Sequence, residues 1–163
     1  MSRIVVCDTG PLLHLNEASA IHLLEPARQI LIPPVVSQEL ASRMDLPSWV
    51  NIEELNRSAQ AKAREWSHRE ELDSGEAEAI ALAMQLKSDW FLTDDALARE
   101  FSESLGLETH GSIGVLLWAV AEGYVEERND AHEFLNNLVN SSLWISKRVV
   151  NEASRAIDQL FSE

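Results

Sequence analysis

The runs IVVC (4–7), ILI (30–32) and WFL (90–92) constrain the fold more than any other feature of the chain. Each is short, apolar, rich in β-branched or aromatic residues and closed by a polar residue or proline, the pattern of a strand buried on both faces. Between them the apolar residues fall at helical spacing. TGPLLHLNEA (9–18) sets Pro11 near a helix start with Leu12, Leu13 and Leu15 behind it, and PVVSQELASRM (34–44) opens on Pro34, which suits a first helical turn. WVNIEEL (49–55) reads as a third strand at the sheet edge, DWFLT (89–93) as the next, and LETHG (107–111) as a short last strand or turn. Strands that alternate with helices require a parallel sheet covered on both faces. The expected class is α/β: a three-layer α/β/α sandwich around a mainly parallel, Rossmann-like sheet.

Further helices are predicted. RSAQAKAREWSHREE (57–71) is polar and helix-forming. LDSGEAEAIALAMQLK (72–87) is strongly helical, with Ser74 as N-cap, Ala79, Ile80, Ala83 and Leu86 as apolar face, and Glu78 on the surface. Gly106 and Gly123 are placed to stop the helices that precede them. Beyond Arg128 two helical segments flank the break SSLWIS. With no repeat, no low-complexity tract and no Pro-, Gly- or Ser-rich linker, the 163 residues are expected to form one domain, an α/β core over 1–125 and C-terminal helices over 126–163. A chain of this length buries roughly 70% of its extended surface.

Composition narrows the class. No apolar run approaches the ~20 residues needed to span a bilayer, and MSRIVVCDTGP lacks the marks of a signal peptide. The single cysteine, Cys7, excludes an internal disulfide framework, so a cytoplasmic protein is expected. The net charge of −14 disfavours non-specific attraction to phosphate backbones. A nucleic-acid substrate therefore requires local help: bound divalent cations, a basic patch or a basic partner.

Ligands of open parallel sheets bind beyond the carboxyl ends of the strands, and acidic residues gather there. Asp8 follows the first strand, and Asp94 and Asp95 follow WFLT. Glu39 lies a turn and a half into the helix after the second strand, and Glu76 in the first turn of the helix opened by DSGEAEA. Each taken alone is an ordinary cap, turn or surface residue; together the five are expected at one rim. Converging carboxylates repel one another and take up protons unless a cation neutralises them. All-oxygen ligands suit Mg²⁺ or Mn²⁺, and a pair of such ions ~3.5–4 Å apart can activate water for phosphodiester hydrolysis. No nucleophile or general-base histidine is evident to offer another chemistry.

VVCDTGPLLHL, IPPVVSQEL, LDSGEAEAIALA, FLTDDALARE and HGSIGVLLWAVAEGYV occur in an order and spacing that resembles the PIN-domain family, specifically its prokaryotic PIN-like subgroup, over nearly the whole chain. The resemblance implies a Mg²⁺- or Mn²⁺-dependent ribonuclease, acting as the toxin of a toxin–antitoxin pair. By position it carries the family's acidic residues onto Asp8, Glu39, Glu76 and one of Asp94 and Asp95. Counting from Glu76 favours Asp94, whereas the Thr-x-Asp pattern favours Asp95. Glu76 departs from the aspartate of many relatives, and the acidity departs from the basic surface expected of an RNA-handling enzyme. The resemblance also implies a homodimer and an antitoxin whose basic C-terminal segment reaches the carboxylates.

Other residues carry weaker readings. Thr9 and Ser112 are either supports of the acidic site or simple helix caps. The five histidines show no metal-ligand spacing, and His110, near the rim, reads as a turn residue with substrate contact as the alternative. Cys7 reads as a buried small hydrophobe, and Gly111 and Gly114 make no phosphate loop. Trp90 and Trp118 read as core, whereas Trp66 marks a candidate partner interface. Arg57, Lys62, Arg64 and Arg69 form the only basic concentration, either a solvated helix face or a surface for phosphates. Two other functions compete: a catalytically silent PIN-like protein that binds a partner, and a phosphotransfer protein. The second is weak, since position 10 is Gly where a dehalogenase-like fold needs a second aspartate.

Overall fold

A computed structural model describes residues 3–69 and 72–163. Its strands are β1 (Ile4–Cys7), β2 (Gln29–Ile32), β3 (Val50–Ile52), β4 (Trp90–Leu92) and β5 (Thr109–His110), joined in one sheet in the order β3-β2-β1-β4-β5. Every pairing is parallel. Val5, Val6 and Cys7 are consecutive and all fully buried; because successive side chains point to opposite faces, both faces of the sheet are covered. The chain is the α/β fold that its pattern predicts, with WVNIEEL supplying one edge strand and LETHG the other.

The helices are α1 (Thr9–Glu17), α2 (Pro34–Leu40), α3 (Arg57–Arg69), α4 (Ser74–Leu86), α5 (Ala96–Ser104), α6 (Ser112–Ala121), α7 (Arg128–Val139) and α8 (Lys147–Ser162), with a 3₁₀ segment, Ile21–Ala27, before β2. Pro34 is the first residue of α2, as its fixed φ favours. That helix stops at Leu40, short of the expected Met44: the amides of Arg43 and Met44 both return to the Leu40 carbonyl, turning the chain toward Pro47 and β3. Of the helix expected over 57–71, Glu70 and Glu71 lie outside the described residues.

One expectation about the helices is corrected. Helix α4 buries Gly75, Ala77 and all of Ala79–Ala83, a broader surface than one stripe, because it packs against β1, α2 and α3 together and its alanines allow close approach. Trp66, a candidate interface residue, is partly exposed, and its ring meets Phe101 edge-on at 5.2 Å, tying α3 to α5. Trp90 and Trp118 pack edge to face at 5.3 Å, with the Arg3 guanidinium 4.2 Å over the Trp90 ring. Helices α7 and α8 pack on each other and on α6, and α7 also reaches α1. Among the described residues no helix is long and apolar enough to cross a membrane.

Strand order reverses between β1 and β4, since β1 continues to β2 on one side while β4 returns beside it on the other. A crevice opens at such a switch point, outside the carboxyl ends of the two strands. Cys7 pairs with Leu92, and the Asp8 amide donates to the Leu92 carbonyl at 2.9 Å. The register therefore delivers Asp8 and the TDD sequence to the mouth of the same crevice.

Candidate active site

Asp8 is both strand terminator and N-cap of α1. One carboxylate oxygen accepts from the Thr9 amide (2.8 Å) and the other from the Thr93 hydroxyl (3.0 Å), so β1 and β4 are laced together at their ends. Only 5% of the residue is exposed. Burial pushes its pKa up to about 6, against the opposing effect of the two hydrogen bonds and with help from the nearby carboxylates of Asp73 and Glu39.

Asp94 and Asp95 have different surroundings. Asp94 Oδ1 accepts from the Ser112 amide (2.7 Å); its Oδ2 accepts from the Ser112 hydroxyl (2.6 Å) and lies 2.7 Å from His14 Nδ1. It is thereby bound to α1 and α6 at once. A methyl group at Gly111 would fall 2.6 Å from Asp94 Oδ1 and 3.2 Å from the Thr93 carbonyl, so this close approach requires glycine. Asp95 caps α5 through Oδ2, which accepts from the Ala98 amide at 2.9 Å; its Oδ1 accepts no hydrogen bond within the described residues.

The remaining carboxylates arrive on helices. Glu39, near the end of α2, accepts from the Thr9 hydroxyl, and Gly75 makes room for it, since a methyl group there would lie 2.5 Å from Glu39 Oε1. Glu76 enters through a capping box: Asp73 Oδ1 accepts from the Glu76 amide (2.7 Å), and Glu76 Oε1 accepts from the Asp73 amide (3.0 Å). Partial burial, followed by the neighbouring charges of Asp73, Asp95 and Asp8, raises the Glu76 pKa to about 7.

These side chains line one cavity of about 300 Å³, its wall formed by Asp8, Glu39, Asp73, Glu76, Asp94 and Asp95 with Thr9 and His14. All five carboxylates expected at the rim are there. As arranged, no three His, Cys, Asp or Glu side chains among the described residues form a ready cage for a metal ion; the oxygens are turned instead toward amides and hydroxyls of the protein. The chemistry of the set still fits a hard divalent cation. The carboxylate donors are all oxygen, and burial together with the neighbouring carboxylates favours the protonated form of two of them, Asp8 and Glu76.

Sequence reading missed four contributors. Asp73, not Ser74, is the N-cap of α4, and D-x-x-E is a legible capping-box signature. His14 and the close approaches at Gly75 and Gly111 leave no local signal, because each depends on a residue distant in sequence. Thr9 and Ser112 are each the first residue of a helix, not its cap, and their hydroxyls go to Glu39 and Asp94. Glu78 is half-buried, not a surface residue, with its pKa raised by burial and by Glu39. It shares a second cavity, of about 440 Å³, with Arg64, His68 and Ser74. His110 ends β5 beside the rim, 2.8 Å from Glu108 and edge-on to Trp90.

A family model described as a PIN domain matches residues 4–159 of the chain. A search of the curated proteins finds no match.

Proposed function

Because this chain belongs to the PIN-domain family, whose members are generally nucleases, we propose that it is a metal-dependent endoribonuclease and the toxin of a toxin–antitoxin pair. The observation that carries the reading is the convergence of six carboxylates, from four separate stretches of chain, on one cavity at the topological switch point. Asp8, Glu39, Glu76 and Asp95 would hold Mg²⁺ or Mn²⁺, and Asp73 stands beside them. When bound, the ion supplies the positive charge that lowers the pKa of water and stabilises the oxygens of a phosphodiester undergoing displacement.

The chain's own residues prepare the pocket. Asp94, with both oxygens engaged by Ser112 and one also near His14, is assigned as the brace that fixes α1, β4 and α6 around it. Asp95, with one oxygen open, is assigned as the ligand. The Thr9 hydroxyl orients Glu39, and Thr93 orients Asp8. Arg64 in the neighbouring cavity supplies local positive charge for RNA phosphates on a chain of net charge −14. The same carboxylates would receive the basic C-terminal segment of an antitoxin, and the active toxin would be a homodimer.

Titration calorimetry with Mg²⁺ and Mn²⁺, on the wild type and on Asp8→Asn, tests the reading together with RNA cleavage. Ion binding and cleavage, both lost in the variant, are expected. Absence of binding near millimolar metal would favour the second reading, a catalytically silent PIN-like protein that acts through a partner. That reading draws on the acidic surface and on the carboxylate oxygens already satisfied by protein donors.

A further inference from the structure

The loop between α7 and α8 presents Trp144 with 84% of its surface exposed. An indole left in water forgoes the stabilisation that burial gives a large aromatic group. Nor does the loop lack anchorage. Ser142 donates its amide (3.0 Å) and its hydroxyl (2.6 Å) to Glu17 Oε1 at the end of α1, a bond that holds the Glu17 pKa below its ordinary value. The Leu143 amide donates to the Ser141 hydroxyl, and Ser146 caps α8. The exposed ring is therefore carried at a defined place.

That place is the edge of a groove of about 550 Å³, walled on its apolar side by Ile113, Leu117 and Val149 and bearing Arg99 and His110. Its volume lies in the range of sites that take a group the size of a nucleoside. The groove is continuous with the carboxylate cavity: Asp94, Asp95 and Leu143 line both. Arg99 is 47% exposed, and Glu103, its nearest carboxylate, stands at 3.8 Å, leaving the guanidinium available to an anion.

We infer that this groove binds an unpaired nucleobase of single-stranded RNA next to the phosphodiester at the carboxylates, with Trp144 as stacking face and Arg99 meeting an adjoining phosphate. The inference rests on the ribonuclease reading and names its substrate as single-stranded. Charge supplies the argument for a base as occupant. On a chain of net charge −14, phosphate contacts give an incoming polyanion little net attraction. Stacking on an aromatic face does not depend on charge and accepts any base, because every base has a π-face. A duplex keeps its bases stacked inward and offers no such face.

Binding of a short, fluorescein-labelled, mixed-sequence RNA, followed by anisotropy in Mg²⁺ with cleavage recorded in parallel, tests the groove. Trp144→Ala is expected to weaken single-strand binding about tenfold, Trp144→Phe to stay within about threefold of wild type, and Arg99→Ala to weaken it as well. The same sequence as a duplex is expected to bind poorly to all of them. Unchanged melting temperatures are expected, since Trp144 contributes little burial. If the wild type cleaves RNA but Trp144→Ala binds it equally well, the groove assignment is overturned and the ribonuclease reading survives. Binding that depends on Trp144 without cleavage supports the groove and removes the ribonuclease reading. No RNA binding by the wild type overturns the assignment. A fall from dimer to monomer in Trp144→Ala, at unchanged RNA affinity, also overturns it and makes the groove an interface between copies of the chain.

Discussion

Adjacent aspartates after β4 are chemically alike and structurally different. Asp94 spends both oxygens on Ser112 and one on the neighbourhood of His14, whereas Asp95 caps α5 with one oxygen and leaves the other open. Asp95→Asn is therefore expected to abolish Mg²⁺ binding in calorimetry with a small change in stability. Asp94→Ala, which removes both acceptors of Ser112, should destabilise the fold by about 1–3 kcal/mol in urea unfolding, the usual penalty for leaving buried donors unsatisfied. If Asp95→Asn bound metal normally while Asp94→Ala folded but did not, the two roles would be exchanged. Asp8 adds a dependence on pH. Its ordinary pKa of 3.8 is raised to about 6 by burial, so the folded protein holds this proton more tightly than the unfolded chain does. The resulting stabilisation is complete below the ordinary value and is lost as pH rises through about 6, a difference on the order of 3 kcal/mol. In EDTA, wild-type stability should fall across that window relative to Asp8→Asn, whose side chain carries no titrating proton. Saturating Mg²⁺ should restore much of the loss at neutral pH, because a cation rewards the ionised form. Parallel profiles for the two proteins would refute the account.

At the scale of elements, the N-terminus of α4 does two jobs with one motif. The Asp73–Glu76 capping box satisfies amides at the helix start and also brings both carboxylates to the cavity. Substitution can separate the jobs. Asp73→Ala is expected to cost about 1 kcal/mol of stability through the lost cap. Glu76→Gln keeps an acceptor for the Asp73 amide and should retain stability while weakening metal binding. Equal losses of stability in both would mean that Glu76 matters only as a cap. The capping box was legible in D-x-x-E, yet Ser74 reads as the more ordinary cap, and only the backbone of residue 73, extended at φ −73° and ψ 168°, decides for Asp73. The early stop of α2 has a similar origin. ASRM has fair helix propensity, but the chain must turn before Pro47 to enter the edge strand β3, and the tertiary requirement overrides the local preference.

On the scale of the molecule, charge governs how a nucleic acid can be held. A protein that neutralises six to ten phosphates loses roughly 10³–10⁵ in affinity between 50 and 200 mM salt. This chain carries 13 Lys and Arg against 27 Asp and Glu, so few phosphates can be neutralised, and the corresponding loss should be less than about tenfold in an anisotropy titration. A steep salt dependence would point to a basic partner or surface that supplies the charge. On the proposed reading, divalent ions held in the carboxylate cavity would lower the local negative potential, so EDTA is expected to weaken RNA binding as well as stop cleavage.

The alternation of strands and helices, the parallel sheet and the positions of Asp8, Glu39, Glu76, Asp94 and Asp95 at its carboxyl rim were all readable along the chain. Each depends on periodicity or on what directly follows a strand, and these are local properties. The partners of the carboxylates were not readable. His14 meets Asp94 across 80 residues, Thr93 meets Asp8 across 85, and Thr9 meets Glu39 across 30. Hydrogen bonds between residues so far apart come into being only when the sheet register and helix packing bring their elements together. Trp144 likewise carries no sequence mark that separates it from Trp66; the one lies open beside the carboxylate crevice and the other packs against Phe101, because loop and helix placement decide which apolar surface the core covers.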